Sequence, residues 1–265
     1  MNLGRPKNKN SEQAAQEFYR ELAADYDDMT NVAARYDSEK KVLQNLINRF
    51  AFKTVLDAAC GSGVHAILLA ELGTQVTGTD ISAEMLEKAR ENSRRKKVEI
   101  EWIQAPMQSL TKKINKRYEA VICLGNSIPH LLSTTRLEAA LQNFSDLLNP
   151  GGILILQLLN YQKILQERER IIGIRRSGNT TYIRFYDFME ELLRFNILTI
   201  RWEENRPRHQ LAGTLLHPWQ KDTLDKSLQK AGFNEMQFWG NLKLDKFDPQ
   251  HSPNLVISAR RKDFT

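Results

Sequence analysis

Cysteine and histidine are scarce in this sequence. The 265 residues include two cysteines and five histidines, and no cluster of them has the spacing of zinc ligands. We therefore expect Cys60 and Cys123 to be free thiols, and we expect no metal site. Cys60 lies between two small residues of a glycine-rich segment, where a small side chain in a tight corner is a simpler interpretation than a reactive thiol.

Long hydrophobic runs are absent as well. The most apolar segment, GGILILQLLN at residues 151–160, is shorter than the 18 or so residues that a membrane span requires. The first ten residues, MNLGRPKNKN, are polar and basic and lack the apolar centre of a secretory signal. These features predict a cytoplasmic protein without a membrane partner, and a disordered basic tail over residues 1–10.

The sequence also has no excess of acidic residues. Lys and Arg number 38 against 32 Asp and Glu, so the formal net charge is +6 and the pI is near 9.2. The basic residues are spread along the chain, and the densest run, residues 94–97, ends a predicted helix where cations complement the helix dipole. A solvated basic surface explains this pattern better than a phosphate-binding groove, so nucleic acid is disfavoured as a partner.

What the sequence does contain is a strand that leads into a glycine turn and then a helix. In VLDAACGSGVHA, residues 55–66, the apolar strand precedes Gly61 and Gly63. Because glycine has no Cβ, the turn can bend sharply, and the exposed amides at the helix start favour a negatively charged ligand. Asp57 at the strand end and Asp80 in the next strand supply two acidic anchors. Asp80 has the spacing of a ribose-binding acid, about 20 residues after the glycines.

Strands and helices alternate through most of the chain. The predicted strands cover residues 54–58, 73–80, 98–104, 119–124, 153–159, 233–239 and 254–262. This pattern predicts a Rossmann-like α/β fold, in which a seven-stranded, mostly parallel sheet has helices on both faces and an antiparallel last strand. Two helices ahead of the first strand, the second starting at Ser38, form a predicted cap over residues 11–50. The loop between them holds Tyr26 and Arg35.

The periodicity changes after residue 168. Residues 171–202 have the alternation of two or three antiparallel strands, with turns at 177–179 and near Glu190. We expect an insertion over residues 168–212 that forms a small antiparallel β cap packed over the site. The whole of residues 11–265 is predicted to be a single domain.

The glycine turn also matches a motif of dinucleotide-binding proteins. Gly61, Gly63 and Ala66 match the G-x-G-x-x-A fingerprint of dinucleotide-binding proteins. However, Asp57 four residues before Gly61, and two helices ahead of the first strand, are unusual for a nicotinamide binder. A turn that only connects a strand to a helix does not explain Asp57 and Asp80 together.

Three motifs carry a family resemblance. They are D-x-A-C-G-S-G at residues 57–63, T-D-I-S at 79–82 and N-P-G-G at 149–152. With them the chain resembles the class I S-adenosylmethionine-dependent methyltransferases, and AVICLGNSIPHL at residues 120–131 resembles their glycine/sarcosine N-methyltransferase branch. The resemblance implies a methyltransferase domain with S-adenosylmethionine as cofactor and S-adenosylhomocysteine as product.

The resemblance also implies where the cofactor binds. Asp80 would hold the ribose hydroxyls, Arg35 the carboxylate, and Asn126 would lie under the sulfonium. In an alternative interpretation none of these residues binds the cofactor. Arg35 would then be a basic surface residue, His130 a histidine with satisfied hydrogen bonds in the core, and Asn126 a residue that favours a turn. The full set of implied cofactor-binding residues is Arg35, Asp57, Ala59, Gly61, Ser62, Gly63, Asp80, Ile81, Met85, Ala105, Pro106, Met107, Leu124, Gly125, Asn126 and His130.

The chain departs from this branch at two positions. Pro106 stands where a polar or acidic side chain usually accepts the adenine amino group, which leaves that contact to the backbone of Ala105 or Met107. Leu159 stands where the glycine-methylating enzymes have an arginine that binds the amino-acid carboxylate. Since a bidentate carboxylate partner is lost, we do not expect glycine to be the acceptor.

The predicted reaction is in-line methyl transfer to a small molecule, most simply at an amine nitrogen. Alternation puts Tyr182, Arg184 and Tyr186 on one face of an inserted strand, and Arg194 and Asn196 on a face of the next. If these faces look into the site, the acceptor is aromatic or anionic. The residues predicted to be catalytic and to line the acceptor pocket are Tyr26, Asn126, Tyr161 and Tyr182.

Several alternatives remain open at this point. The methyl acceptor could be an oxygen or a sulfur atom, or could belong to RNA or protein. An NAD-binding oxidoreductase and a non-catalytic cofactor-binding regulator are the other candidates. The inserted strands could instead form a dimer surface, so a homo-oligomer also stays open.

Overall fold

The structure is a computed structural model that describes residues 11–203 and 206–262. The tail predicted to be disordered, residues 1–10, lies outside the described residues. Seven strands form the central sheet in the order β10-β11-β5-β4-β1-β2-β3. These strands are β1 (Thr54–Ala58), β2 (Gln75–Asp80), β3 (Glu101–Gln104), β4 (Tyr118–Cys123), β5 (Leu148–Leu159), β10 (Phe233–Trp239) and β11 (Asn254–Arg261).

The sheet is mixed, as predicted. β1 pairs in parallel with β2 and β4, and β4 pairs in parallel with β5. β11 runs antiparallel to both β5 and β10. The order reverses beside β1, so the carboxyl ends of β1, β2 and β4 open a crevice of the kind that binds ligands in α/β sheets.

Helices cover both faces of this sheet because its central strands are apolar on both sides. On one face, Val55 packs with Leu43 and Leu68, and on the other Leu56 packs with Leu141 and Leu224. The helices are α1 (Ser11–Leu22), α2 (Tyr26–Thr30), α3 (Val32–Phe50), α4 (Val64–Glu71), α5 (Ala83–Lys96), α6 (Thr134–Asp146), α7 (Tyr161–Glu167) and α8 (Lys221–Lys230).

The predicted loop between the first two helices is wrong. Helix α2 and the first turns of α3 occupy that segment, with Asn31 in a left-handed conformation between them (φ 57°). Ser38 does not start the second helix: its hydroxyl donates to the Arg35 carbonyl 2.8 Å away, inside α3. Such a local bond satisfies a serine within a helix, so Ser38 can lie inside α3 although serine is a common N-cap residue.

A second, antiparallel sheet of four strands follows in the order β6-β7-β8-β9. Its inner face carries Tyr182, Ile197 and Ala212, which pack against Phe18 and Leu22 of α1. The predicted β cap is therefore present, and it lies against the N-terminal helices. Its strands are β6 (Ile171–Ser177), β7 (Thr180–Phe188), β8 (Leu193–Glu203) and β9 (Arg206–Leu216).

Some elements were missed or misplaced by the sequence pattern. Strand β9 extends beyond the predicted end of the insertion at residue 212, and its first six residues are exposed, so no apolar alternation marks it. Helix α7 was not predicted, and the predicted loop after β3 contains a 3-10 helix, Met107–Lys112. Strand β5 starts at Leu148, ahead of the predicted Ile153, because Leu148 already pairs with Tyr118 of β4. The N-P-G-G motif forms an irregularity within the strand, where the register shifts and Gly151 has a φ of 69°.

Within the described ranges, the structure has no helix that is long and apolar enough to cross a membrane. The same residues contain no group of three or more His, Cys, Asp or Glu side chains placed to hold a metal ion.

Gly78 in β2 provides a stability test of how β3 packs on the sheet. A Cβ on Gly78 would lie 2.3 Å from Cζ3 of Trp102, its β3 neighbour in the register. We expect Gly78→Ala to lower the free energy of unfolding by about 1–3 kcal/mol, the usual cost of overpacking. Urea denaturation measures this value. Adding Trp102→Leu should recover part of the loss, and a Gly78→Ala midpoint equal to that of the wild type would contradict this packing.

Candidate functional site

The glycine turn after β1 is held open by its backbone conformation. Ala59, Gly61 and Gly63 all have positive φ, at 59°, 57° and 83°. A left-handed alanine is uncommon and costs of order 1 kcal/mol or more, so the surrounding structure must hold it. The Cys60 N–H donates to the Thr79 carbonyl (2.9 Å), which fixes the turn to the end of β2.

Asp80 at the end of β2 organises the backbone around it. One carboxylate oxygen accepts from the Gly61 N–H and the other from the Ser82 N–H, both at 2.9 Å. Burial raises the pKa of Asp80, while these N–H groups act in the opposite direction. The carboxylate thus lies at the base of the site with the turn and the start of α5 both bonded to it.

Asp57 lies beneath the turn and is 1% exposed. Burial, followed by the charge of Asp80, raises the pKa of Asp57 to about 8, and a hydrogen bond from the Ala66 N–H only partly offsets this. Its Oδ2 has no hydrogen-bond partner. Asp57 is therefore mostly protonated at neutral pH, and it does not line the cavity described next.

A cavity of about 430 Å³ opens between the sheet ends, the N-terminal helices and the second sheet. Most of the residues predicted for the site surround it, which brings together positions spread over more than 100 residues of sequence. The predicted residues that line it are Tyr26, Arg35, Ala59, Gly61, Ser62, Asp80, Ile81, Ala105, Pro106, Met107, Leu124, Gly125, Asn126 and His130.

Four other predicted site residues lie behind the cavity wall. Gly63 makes room for close packing, since a Cβ there would lie 2.7 Å from Trp102 of β3 and 2.9 Å from Ala89 of α5. Met85 is fully buried because the Ser82 cap starts α5 with that side chain on its inner face. Tyr161 is buried, and its hydroxyl is hydrogen-bonded to the cavity-lining Asn126. Tyr182 does share a face with cavity-lining residues of β7, but α1 and α2 cover it at that point.

Asn126 connects the β4 end to β5. It has positive φ (71°) directly after Gly125 (72°). Its Oδ1 accepts from the Leu159 N–H at 2.9 Å, and its Nδ2 donates to the Tyr161 hydroxyl at 2.9 Å. The side chain is thereby held at the cavity wall by two independent bonds.

Helix α1 adds a residue that the sequence did not single out. The Tyr19 hydroxyl and Nε2 of His130 are hydrogen-bonded at 2.8 Å. Burial lowers the pKa of His130 to about 4 and raises the pKa of Tyr19 well above its usual value. Both groups are therefore neutral at physiological pH. The apolar stripe of α1 indicates that Phe18 and Leu22 are buried, but it gives no sign that the neighbouring Tyr19 brings a polar group to the cavity wall.

Glu12 and Gln108 were also missed, and both line the cavity. The Gln108 side-chain amide donates to Glu12 at 2.8 Å. Pro106 has no polar side chain, whereas Glu12 and Gln108 bring side-chain oxygen atoms to the cavity wall. No local sequence signal relates the start of α1 to the segment after β3.

Arg35 lies in a small charged group at another end of the cavity. Its Nη1 is 3.3 Å from Glu39, and Nε2 of His65 is 3.6 Å from the other Glu39 oxygen. Burial lowers the pKa of His65. The Nε of Arg35 is buried without a hydrogen-bond partner, so the guanidinium has a donor left for a ligand.

Asp27 fastens α2 to the glycine turn. The Ser62 hydroxyl donates to one Asp27 oxygen at 2.6 Å, and the Asn92 side-chain amide donates to the other at 3.1 Å. This places Tyr26 over the turn, with its ring 4.0 Å from the position that a Cβ on Gly61 would occupy. The second residue of α2 is thus bonded to the turn that it covers.

The Asp57 carboxyl predicts a pH dependence of stability. Its folded pKa, about 8, lies above the usual unfolded value near 4, so the folded state binds the proton more tightly. Its contribution to stability is complete below about pH 4 and is lost as the pH rises to about 8. We expect Asp57→Asn to remove this decline, so that the variant gains stability over the wild type as the pH rises. Denaturant titrations between pH 4 and 8.5 measure the difference.

The exposed Asp222 provides the matched control for that series. Asp222→Asn should follow the wild-type pH profile throughout. Parallel wild-type and Asp57→Asn curves would show that Asp57 is ionised in the folded state at neutral pH.

Known proteins resemble this chain in sequence and in fold. A family described as a methyltransferase domain matches residues 55–152. The glycine/sarcosine N-methyltransferase of Aphanothece halophytica is 31% identical over 255 residues, which cover 96% of this chain and 93% of the relative.

Two solved structures share the fold at low sequence identity. An S-adenosylmethionine-dependent methyltransferase from Clostridium acetobutylicum is 16% identical with a TM-score of 0.79, covering 92% of this chain and 99% of its own. An amino pentose methyltransferase from Micromonospora echinaspora, solved with S-adenosylmethionine bound, is 20% identical with a TM-score of 0.64, covering 98% and 100%. With the motifs, the crevice and the near-complete match to the first relative, the chain belongs to the class I S-adenosylmethionine-dependent methyltransferases.

Proposed function

We propose that this methyltransferase acts on the amine nitrogen of a small molecule. The observation that carries the proposal is the character of the cavity wall around Asn126. Its polar groups include the neutral side chains of Tyr19, Asn126, His130 and Tyr186, with Tyr161 bonded to Asn126 behind the wall. The similarity to an enzyme named for glycine and sarcosine N-methylation supports the same chemistry.

The residues around the cavity suit S-adenosylmethionine. The carboxylate of Asp80 faces the cavity as an acceptor for ribose hydroxyls, and Ile81 and Met107 provide apolar surface for a base. The spare Nε donor of Arg35 suits the carboxylate of the amino-acid part. These roles agree with those that the family resemblance implies.

The cofactor supplies an electrophilic methyl group on a sulfonium, so the chain mainly has to orient the acceptor and exclude water. Phe195, Ile197 and Leu216 from the second sheet close the cavity with apolar surface. The hydroxyl and amide oxygens near Asn126 can accept hydrogen bonds from an N–H and direct the nitrogen lone pair. A neutral amine needs no further base to react.

The same wall is poorly suited to a phenol or an acid hydroxyl as acceptor. Such a group must lose a proton to become a good nucleophile, and an effective base has a pKa near the working pH. His130, with its pKa lowered to about 4, is too weak a base. His217 is no better placed to act as a base, because it stacks on Trp219 and does not line the cavity.

Methyl transfer from deuterated-methyl S-adenosylmethionine to a panel of small amines tests this proposal directly. Each amine is paired with the phenol, alcohol or thiol of matching carbon skeleton, and mass spectrometry detects the labelled product. We expect S-adenosylhomocysteine to form with amines only. Transfer restricted to hydroxyl or thiol members, or to added RNA, would overturn it.

Asp80→Asn tests the cofactor site independently of the acceptor. The amide keeps the shape but loses the charge, and it can accept only through one atom. Because hydrogen bonds to charged groups contribute about 1.5–3 kcal/mol, the Kd for S-adenosylhomocysteine should rise by about 10- to 100-fold. Calorimetric titration measures it, with Asp222→Asn as the control. Equal affinity in the Asp80 variant and the wild type would remove Asp80 from the site.

A pH–rate comparison of wild type and His130→Asn tests the neutral-amine mechanism. We expect kcat/KM to rise with pH up to the pKa of the acceptor amine in both proteins, because only the neutral amine reacts. His130→Asn should lower the rate without moving that midpoint. A midpoint that follows the enzyme variant, and stays the same across amines of different pKa, would instead make His130 a base.

A further inference from the structure

Arg184 is a cation on the cavity wall for which the structure shows no ionic partner. It lies in β7 on the same face as Tyr186, and both side chains line the cavity. Among residues 11–203 and 206–262, no salt bridge or hydrogen bond of its guanidinium is found, whereas Arg35 at the other end pairs with Glu39. A partly buried guanidinium without a counter-ion is poised for an anionic ligand.

The neighbouring strand is shaped to seat this side chain. Gly173 of β6 is the register partner of Arg184, and a Cβ on Gly173 would lie only 2.7 Å from the Arg184 Nη2. The pairing of β6 with β7 shifts register between Ile171 and Gly173. Both features keep the space beside Gly173 open for the guanidinium, so its direction is set by the sheet.

The surroundings of Arg184 suit a single negative charge. Leu159, Ile172 and Ile197 line the cavity without polar groups, and the lining carboxylates are engaged elsewhere: Glu12 by Gln108, Glu39 by Arg35 and Asp80 by backbone N–H groups. One unpaired cation balances a carboxylate, whereas a phosphate dianion requires more positive charge.

A line of polar side chains joins Arg184 to Asn126. Tyr186 lies on the same face of β7 as Arg184. Burial raises the pKa of Tyr186 and the charge of Arg184 opposes this, while burial and then Tyr186 raise the pKa of Tyr161. The Tyr161 hydroxyl accepts a hydrogen bond from Asn126. An acceptor bound along this line would have its anionic group at β7 and its nitrogen beside Asn126.

We propose that Arg184 binds a carboxylate of the methyl acceptor, and that the acceptor is an amine whose carboxylate lies beyond the single carbon of glycine. The identity of the reacting nitrogen rests on the proposed function, but the carboxylate site does not. Arg184 reaches the cavity from the second sheet, whereas Leu159 on β5 offers no charge. The carboxylate is therefore bound on the side of the cavity that the second sheet forms.

Binding of simple carboxylates tests this site without any turnover. The probes are acetate, butyrate and benzoate, each compared with its amide, added to the protein saturated with S-adenosylhomocysteine. We expect butyrate or benzoate to raise the melting temperature of the wild type while the amides do not. Arg184→Gln should weaken carboxylate binding by tenfold or more, in line with loss of a charge-assisted hydrogen bond.

Three variants make the test specific. Arg184→Lys keeps the charge but not the planar fork, and should bind carboxylate more weakly than wild type and better than Arg184→Gln. Gly173→Ala keeps Arg184 in the sequence but adds a methyl group where the guanidinium lies, so it should displace the guanidinium and also weaken binding. Arg194→Gln changes an exposed arginine on β8 whose neighbours Phe195 and Ile197 face the cavity, and it should leave binding unchanged. Equal responses of Arg184→Gln and the wild type would overturn the proposal.

Activity then separates this proposal from the amine assignment. If amines are methylated, the kcat/KM ratio between ω-amino acids such as γ-aminobutyrate and their amides should be at least tenfold in the wild type and near one in Arg184→Gln. A ratio that Arg184→Gln leaves unchanged would contradict the Arg184 site alone. Carboxylate binding that depends on Arg184, together with transfer only to hydroxyl acceptors, would contradict the amine assignment alone.

Discussion

The bond between the Gly61 N–H and the Asp80 carboxylate is the contact on which the cavity depends. It joins the turn after β1 to the end of β2, and the second Asp80 oxygen accepts from Ser82 at the start of α5. Three backbone segments are thus set around one buried carboxylate. The cost of burying Asp80 is offset because both oxygens are hydrogen-bonded, whereas Asp57 beneath it keeps a proton.

Side-chain contacts hold helix α2 both to the glycine turn and to the second sheet. Asp27 is bonded to Ser62 and Asn92 next to the glycine turn. From the second sheet, Arg175 donates to the Asp28 carbonyl at 2.7 Å, and Arg201 forms an ion pair with Asp25. The short helix α2 therefore lies between the parallel sheet and the antiparallel one, and its position depends on both. A change in either sheet that moves α2 would also move Tyr26 over the turn.

The parts of the fold that could be predicted from sequence are those with a local signal. β1 and β10 occur at the predicted residues, because each has its apolar pattern within a few residues. Ser82, the last residue of the T-D-I-S motif, caps α5. Strand β9 could not be found this way, since its stability comes from pairing with β8 and its exposed half is polar. The prediction at Ser38 was wrong because serine is a common N-cap residue, whereas here its hydroxyl is bonded inside α3.

The site residues, too, divide into those that a local motif predicts and those whose position depends on distant parts of the chain. The motifs predicted that Gly61, Asp80 and Asn126 approach one another, but they could not separate residues that line the cavity from residues that support it. Gly63 and Met85 sit in the right motifs and face helix packing instead. Tyr182 failed for a different reason: alternation assigned its face correctly, and only the position of α1 and α2 decides which part of that face is open. Arg194 and Asn196 occupy the opposite face of β8, since Phe195 and Ile197 line the cavity.

Different parts of the chain form the proposed cofactor side and the proposed acceptor side of the cavity. For this reason the family of the chain indicates the cofactor more clearly than it indicates the acceptor. The match to the methyltransferase domain covers residues 55–152, which include the glycine turn, Asp80 and the Gly125–Asn126 segment. Leu159, Tyr186 and Phe195 lie beyond it, on β5 and the second sheet. The first group lies at the carboxyl ends of the parallel strands, whereas Tyr186 and Phe195 come from the antiparallel sheet. Leu159 offers no charge to an anionic acceptor, so a positive charge for it has to come from another element, and Arg184 is a cation that the second sheet brings to the cavity wall.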